Sequence, residues 1–193
     1  FAMEKKVLSE LDIYVGKIEG LKWDPKELQT EIFESYVLGK RISKNSKDYS
    51  FEDYFVSTSP NVQKIHEYFR DFFGLKGNYA SLPKTQRTLV PTLEWGNLYQ
   101  QYEQSYSRTQ IHPLTLKDSN DFTVVLGVNV MRDSCQFVME YSDHRRAART
   151  WHIPLETGKY VIFPSDQRYF ISRNVKKHMN VFFSANFIYP QQY

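Results

Sequence analysis

The sequence contains one cysteine, Cys135, in 193 residues, so no disulfide can form within the chain. No apolar run reaches the roughly 20 residues that a membrane-spanning helix needs, and the N-terminus carries no recognisable secretory signal. The formal net charge is only +3, too small to indicate nucleic-acid binding by itself. These absences predict a soluble protein of the reducing cytoplasm with no membrane partner.

Several common catalytic motifs are also missing. The chain has no glycine-rich loop that would cradle a phosphate, no zinc-ligand spacing, and no Ser-His-Asp or Cys-His arrangement. Their absence argues against a P-loop NTPase, a zinc-finger protein and a hydrolase with a nucleophilic serine or cysteine.

Aromatic residues, in contrast, are abundant: 14 Tyr, 14 Phe and 3 Trp make up 16% of the chain. Such residues favour β-strands, and the length suits one domain. We therefore expect a single domain over residues 1–193. Residues 1–88 would form a mixed helical part that packs on a sheet, and residues 89–190 would form the β core.

Apolar residues recur at helical spacing in two N-terminal segments. The pattern predicts one helix from Pro25 to Gly39, with Asp24 as its N-cap, and a second helix from Pro60 to Gly74. A polar loop is expected over 41–50.

After about residue 89 the apolar residues alternate, which is typical of strands. Short strands behind a helical front predict a mainly β fold, a sandwich or jelly roll with helices on one side. The predicted strands are 11–15, 122–130, 135–141, 160–163 and 181–188.

Three sequence motifs follow one another in the C-terminal half of the chain. They are Trp95-Gly96-Asn97 with Gln110-Ile111-His112-Pro113, Gly158 to Ser165 with Tyr169, and Asn180 to Phe187. Over residues 95–187 they resemble a phage and bacterial branch of the 2-oxoglutarate/iron(II) oxygenases. The resemblance implies a double-stranded β-helix (jelly-roll, cupin-like) flanked by helices. It also implies iron(II) held by two histidines and a carboxylate.

The resemblance places Gln110, His112 and Tyr169 at the iron-ligand positions. Only His112 is a good ligand, because a glutamine amide is neutral and a phenol, with a pKa near ~10, keeps its proton at neutral pH. Asn180 stands where the family has the arginine that binds 2-oxoglutarate, and an amide cannot form that bidentate pair. Arg173 or His178 is the alternative anchor.

The resemblance therefore implies a pocket whose lining is polar. Its predicted lining residues are Asn97, Gln110, His112, Tyr169, Asn180 and Asn186. The competing structural interpretation is that these groups satisfy one another's hydrogen bonds.

Two further features have a binding interpretation. Arg145, Arg146 and Arg149 form either an anion-binding rim near the pocket or a solvated loop. Tyr102 and Tyr106, with the nearby Tyr99, either stack on a base or sugar or cover a sheet edge.

Three functions stay open. The first is an oxygenase-like protein that has no catalytic residues or cofactor and binds a protein partner or copies of itself, for example as a phage assembly protein in a virion. The second is a working dioxygenase that uses iron(II) and 2-oxoglutarate. The third is a nucleic-acid or carbohydrate-binding β module.

Overall fold

The protein folds into two helices and nine strands. The structure, a computed structural model, describes residues 3–6, 11–43, 54–55, 59–76, 90–111, 119–142, 146–147 and 149–188. The elements in chain order are β1 Tyr14–Lys17, α1 Pro25–Ser43, β2 Tyr54–Phe55, α2 Pro60–Lys76, β3 Val90–Tyr99, β4 Phe122–Asn129, β5 Gln136–Tyr141, β6 Arg149–Pro154, β7 Lys159–Pro164, β8 Arg168–Ile171 and β9 Asn180–Ile188.

The strands form two antiparallel sheets. The larger sheet has the order β1-β7-β4-β9-β3-β2, and the smaller has the order β6-β5-β8. A bridge between Arg108 and Tyr169 adds a further short pairing beside β8. From β4 onward the chain crosses between the sheets at every connection except that from β5 to β6. As a result β4 pairs with β7 and β9, and β5 pairs with β8, strands that are distant in sequence. This is a jelly roll, and the predicted fold class, mainly β with N-terminal helices, is confirmed.

The helices cover the outer face of the larger sheet. Leu28 and Ile32 of α1, with Ile65 and Phe69 of α2, are fully buried in one cluster with β4 and β9. Gly96 of β3 lies directly beneath Ile32, and a Cβ at that position would collide with the Ile32 side chain. The glycine thus lets α1 approach the sheet closely.

Aromatic rings fill the space between the two sheets. Phe137 and Phe163 lie 5.0 Å apart between ring centroids, and Phe163 lies 4.7 Å from Tyr169. These three side chains and Phe182 are each at most 3% exposed. The two inner faces therefore meet in a packed core.

Some element boundaries differ from the sequence expectation. Helix α1 continues past Gly39 to Ser43, and α2 continues past Gly74 to Lys76. The N-terminal strand is 14–17 rather than 11–15, because its pairing with residues 159–162 of β7 fixes where it begins and ends. No helix in the described ranges is long and apolar enough to cross a membrane. The single-domain organisation stays a prediction.

The N-cap of α1 generates a first prediction. Asp24 Oδ1 accepts the backbone N–H groups of Lys26 at 3.0 Å and Glu27 at 3.2 Å. We expect Asp24→Ala to lower the free energy of unfolding by about 1 kcal/mol, because two helix donors lose their partner. Chemical denaturation measures the change. Asp24→Asn is the matched control and should keep nearly full stability; equal losses in both variants would contradict the capping role.

His66 generates a prediction about pH. This α2 residue is buried, its ring centroid lies 5.7 Å from that of Phe187, and its Nε2 has no hydrogen-bond partner in the described structure. Burial lowers the pKa of His66 below its ordinary value of 6.5, with a weaker opposing effect from Glu94 and a weaker reinforcing effect from Arg70. Below about pH 6.5, His66 becomes protonated in the unfolded chain but stays neutral in the folded chain. The free energy of unfolding therefore falls as the pH falls.

Denaturation curves between about pH 5 and 8 test this expectation. The variant His66→Phe keeps an aromatic ring at the position and should show a shallower loss of stability in acid than the wild type. An identical acid dependence in both proteins would exclude His66 as its source.

Candidate functional site

Polar side chains form a continuous hydrogen-bond chain at one end of the sandwich. Thr123 Oγ1 donates to Asn186 Oδ1 at 2.8 Å, and Asn186 Nδ2 donates to Gln110 Oε1 at 3.2 Å. Gln110 Nε2 in turn donates to the Tyr169 hydroxyl at 2.9 Å. The Thr123 and Ser165 hydroxyls lie 2.8 Å apart, and because Thr123 gives its proton to Asn186, Ser165 is the donor of that pair. We call these five residues the Gln110 network.

The backbone register brings the Gln110 network together. Thr123 of β4 and Asn186 of β9 are direct partners across the larger sheet and share its inner face. Tyr169 reaches the same space from β8, where its ring stacks on Phe137 with 5.6 Å between centroids. Gln110 connects them, because its backbone N–H donates to the Ser165 carbonyl at 2.8 Å. The network therefore links both sheets.

Four of the five network residues are buried and Gln110 is half-buried, and the side-chain amides of Gln110 and Asn186 are both hydrogen-bonded. Thr123 is 0%, Ser165 1%, Asn186 2% and Tyr169 3% exposed. Both polar atoms of the Gln110 amide have a partner, its oxygen from Asn186 and its nitrogen toward Tyr169. The oxygen or the nitrogen of the Gln110 amide would therefore have to give up a hydrogen bond before it could bind another group.

Asn180 lies far from this network. It is on the same inner face of β9 as Asn186, but six residues away, which is roughly 20 Å along an extended strand. Its Oδ1 accepts the Met131 N–H at 3.1 Å, and its Nδ2 donates to Ser134 Oγ at 2.9 Å and contacts Cys135 Sγ at 3.5 Å. Asn180 is fully buried and braces the turn between β4 and β5.

The other predicted lining residues are spread out. Asn97 is buried on β3, in register with Phe182, between the two ends of the sandwich. Arg146 is exposed, and Arg149 is half-buried at the start of β6. His112 and Arg145 lie outside the described residues. Of the pocket residues proposed from sequence, the structure thus brings together Gln110, Tyr169 and Asn186.

The alternative anchors for a carboxylate are also at a distance from the network. His178 Nε2 bonds Asn129 Oδ1 at 3.1 Å, and Arg173 is exposed on the loop before β9. Both lie near the end of β9 that carries Asn180.

Sequence reasoning did not single out Thr123, and it used Ser165 only as part of a motif. The signal for Thr123 was available, because it is a polar residue near the start of a strand whose other residues, apart from the terminal Asn129, are apolar. It also missed Arg108, whose guanidinium carbon lies 5.6 Å from the centroid of the Trp95 ring. Pairings of this kind join residues distant in sequence and become visible only in the fold.

The described residues do not fit an iron(II) and 2-oxoglutarate site. No group of three or more His, Cys, Asp or Glu side chains among them could hold a metal ion. Gln110 and Tyr169 satisfy each other, and Asn180, a neutral amide, bonds the β4–β5 turn. The inner space between the sheets is filled by aromatic rings.

Solved structures with a similar fold include two prolyl hydroxylases and an alpha-ketoglutarate-dependent carbocyclase. A Pseudomonas putida prolyl-4-hydroxylase matches 86% of this chain and 82% of its own, with 12% identity and a TM-score of 0.54. The collagen prolyl hydroxylase of Paramecium Bursaria Chlorella virus-1, solved with 2OG, matches 90% of this chain and 95% of its own, with 13% identity and a TM-score of 0.54.

The alpha-ketoglutarate-dependent carbocyclase SnoK of nogalamycin biosynthesis matches 82% of this chain and 75% of its own, with 8% identity and a TM-score of 0.51. No protein-family model and no curated protein matches the sequence. The chain therefore has the double-stranded β-helix fold of the 2-oxoglutarate oxygenases, as its motifs predicted. Similarity at this level of identity shows the fold alone.

Replacement of Thr123 by valine tests the Gln110 network. Valine keeps the shape of threonine but removes the hydroxyl, so Asn186 Oδ1 and Ser165 Oγ lose this partner in the buried interior. We expect the free energy of unfolding to fall by about 1–3 kcal/mol.

Tyr169→Phe should also destabilise, by about 1 kcal/mol, because Gln110 Nε2 loses its acceptor. Tyr106→Phe, at a tyrosine that is 70% exposed, is the control and should leave stability unchanged. Thermal unfolding of the three variants provides the comparison. Full stability of both buried variants would mean that the network does not hold the sheets together.

Proposed function

We propose that this chain keeps the oxygenase fold without its iron chemistry and acts as a binding, structural or assembly protein. The observation that carries the proposal is the hydrogen bond between Gln110 and Tyr169, which joins two of the positions where the resemblance implies iron ligands. Its partner would be another protein or further copies of itself. The resemblance to a phage branch makes assembly of a virus particle one concrete form of this role.

The chemistry of these groups supports the proposal. To bind iron(II), Tyr169 would have to lose a proton, and a phenol does so only near pH ~10. Gln110 would have to turn its amide away from Asn186 and Tyr169, and each buried partner left behind costs about 1–3 kcal/mol. A neutral amide oxygen returns little of that cost, because iron in this type of site prefers imidazole and carboxylate.

The residue at the position that the resemblance assigns to 2-oxoglutarate binding is also unsuited to that role. Binding of its far carboxylate calls for a cation on the inner face, ideally an arginine fork. Asn180 offers a neutral amide that is already bonded to Met131, Ser134 and Cys135. Arg108, which pairs with Tyr169, holds its guanidinium over Trp95 instead.

A working dioxygenase remains the second candidate, and one observation favours it. Gln110 and Tyr169 come within 2.9 Å of each other, so two positions that the resemblance assigns to ligands do converge in the fold. In that case His112 would supply one ligand, and rearranged neighbours would supply the others.

Anaerobic titration with iron(II), with and without 2-oxoglutarate, separates the two candidates. We expect no micromolar binding in a calorimeter, while a working oxygenase titrated alongside should bind. The variant Gln110→His/Tyr169→His replaces the amide and phenol by two imidazoles and should bind iron(II) at least about tenfold more tightly, a gain of about 1.4 kcal/mol.

Two outcomes would contradict the proposal. Micromolar iron binding by the wild type that 2-oxoglutarate strengthens would do so, as would iron-dependent release of succinate. His112→Ala should have no effect on the wild-type titration, and any loss of binding in that variant would identify His112 as a ligand.

A further inference from the structure

The loops at the Asn180 end of the sandwich converge on one buried amide. Asn174 is 0% exposed. Its Nδ2 donates to the carbonyl oxygens of Tyr99 at 3.1 Å and His178 at 2.6 Å, and its Oδ1 accepts the Lys176 N–H at 3.0 Å. The conformation of the loop between β8 and β9 is therefore defined by hydrogen bonds.

Two chain segments lie side by side across this end. The Tyr102 N–H donates to the Asn174 carbonyl at 2.7 Å, the Asn174 N–H to the Glu103 carbonyl at 2.9 Å, and the Ser105 N–H to the Ile171 carbonyl at 3.1 Å. Backbones joined in this way are about 5 Å apart. Residues 102–105 thus run antiparallel to residues 171–174 at the spacing of neighbouring strands. Tyr106 follows at the Ile171 end of this pairing, and Lys176 and Lys177 follow at the Tyr102 end.

The first segment exposes two tyrosine rings. Tyr102 is 66% and Tyr106 70% exposed. The backbone of Tyr102 has a φ of 73°, a conformation that bulky residues rarely adopt. The free-energy cost of that conformation is not offset by burial of the Tyr102 ring, because the ring is exposed to solvent.

The second segment exposes three cations. Arg173, Lys176 and Lys177 are all exposed, and within the described ranges none of them forms an ion pair within 4.0 Å. The carboxylate of Glu103, on the neighbouring segment, accepts the backbone N–H of Gln100 at 2.8 Å. It is thereby directed toward its own loop.

We propose that this exposed surface binds single-stranded nucleic acid. Its residues are Tyr102, Tyr106, Arg173, Lys176 and Lys177, and we call it the tyrosine–lysine surface. Exposed aromatic rings beside exposed cations suit a strand whose bases stack on aromatic side chains while its phosphates meet positive charge. The overall charge of the chain is small, so this local arrangement carries the inference.

Other occupants fit the surface less well. A second copy of the chain would place three cations opposite three cations in a two-fold contact, which like-charge repulsion disfavours. A duplex would keep its bases stacked on each other, so the exposed rings would have no base to contact. An anionic membrane would also attract the cations, so binding to anionic vesicles is measured as the alternative outcome.

This inference goes beyond the proposed function and does not depend on it. The tyrosine–lysine surface shares no residue with the Gln110 network, so either proposal can fail without the other.

Fluorescence anisotropy with labelled oligo(dT) and oligo(rU) of about 20 nucleotides tests the proposal. We expect binding at about 50 mM salt that weakens roughly 20-fold at about 200 mM salt, because three neutralised phosphates give a logarithmic slope of about −2. A duplex of the same length should bind more weakly.

The variants separate stacking from charge. Tyr102→Ala/Tyr106→Ala should weaken binding about 25-fold, about fivefold per ring at the low end of stacking energies, with the salt dependence unchanged. Arg173→Glu/Lys176→Glu/Lys177→Glu should abolish binding. The matched control is Lys22→Glu/Lys26→Glu/Lys64→Glu, which makes the same charge change at exposed lysines of the N-terminal helical region and should bind as the wild type does.

Circular dichroism confirms that each variant is folded, which is expected because all altered side chains are exposed. No binding of either oligonucleotide at about 50 mM salt would overturn the proposal. So would an equal loss in the Lys22/Lys26/Lys64 control, or wild-type affinity in the double tyrosine variant, since either would indicate nonspecific attraction. Binding to phosphatidylserine vesicles without binding to oligonucleotides would assign the surface to a membrane instead.

Discussion

Buried polar groups need hydrogen-bond partners, and this requirement governs the mouth of the sandwich. Thr123, Asn186, Gln110 and Tyr169 satisfy one another in an unbroken chain that links both sheets. In a low-dielectric interior such a chain is stable only when it is complete. The side-chain bonds that link β4, β8 and β9 therefore engage the amide of Gln110 and the hydroxyl of Tyr169, two groups at positions where the resemblance implies metal ligands.

Fold and chemistry place different demands on the sequence. The jelly roll depends on alternating apolar residues in many strands, and Phe137, Phe163 and Phe182 can fill its interior whatever the protein does. An iron site would depend on a few side chains with particular ligand atoms. A change at a ligand position can therefore remove that chemistry while the architecture persists, as expected when function lies in sites carried by folds.

The sequence was sufficient to predict four strands of the core, but not β6, β8 or the arrangement of the site. Alternation located β4, β5, β7 and β9 because each buries one or both faces along its length. It could not place Asn180, which shares a strand with Asn186 yet braces a turn at the other end. Nor could it extend α1 past Gly39, since a glycine ends a helix only where the chain adopts a left-handed conformation.

The buried amide of Asn174 has a thermodynamic consequence. Because the Asn174 side chain bonds the backbones at Tyr99, Lys176 and His178, the backbone that carries the nearby rings and cations is already held in place before any encounter. Binding would then cost little backbone conformational entropy. Its heat-capacity change would reflect mainly the surface area buried in the complex rather than folding coupled to binding. The exposed end of this sandwich would behave as a rigid template.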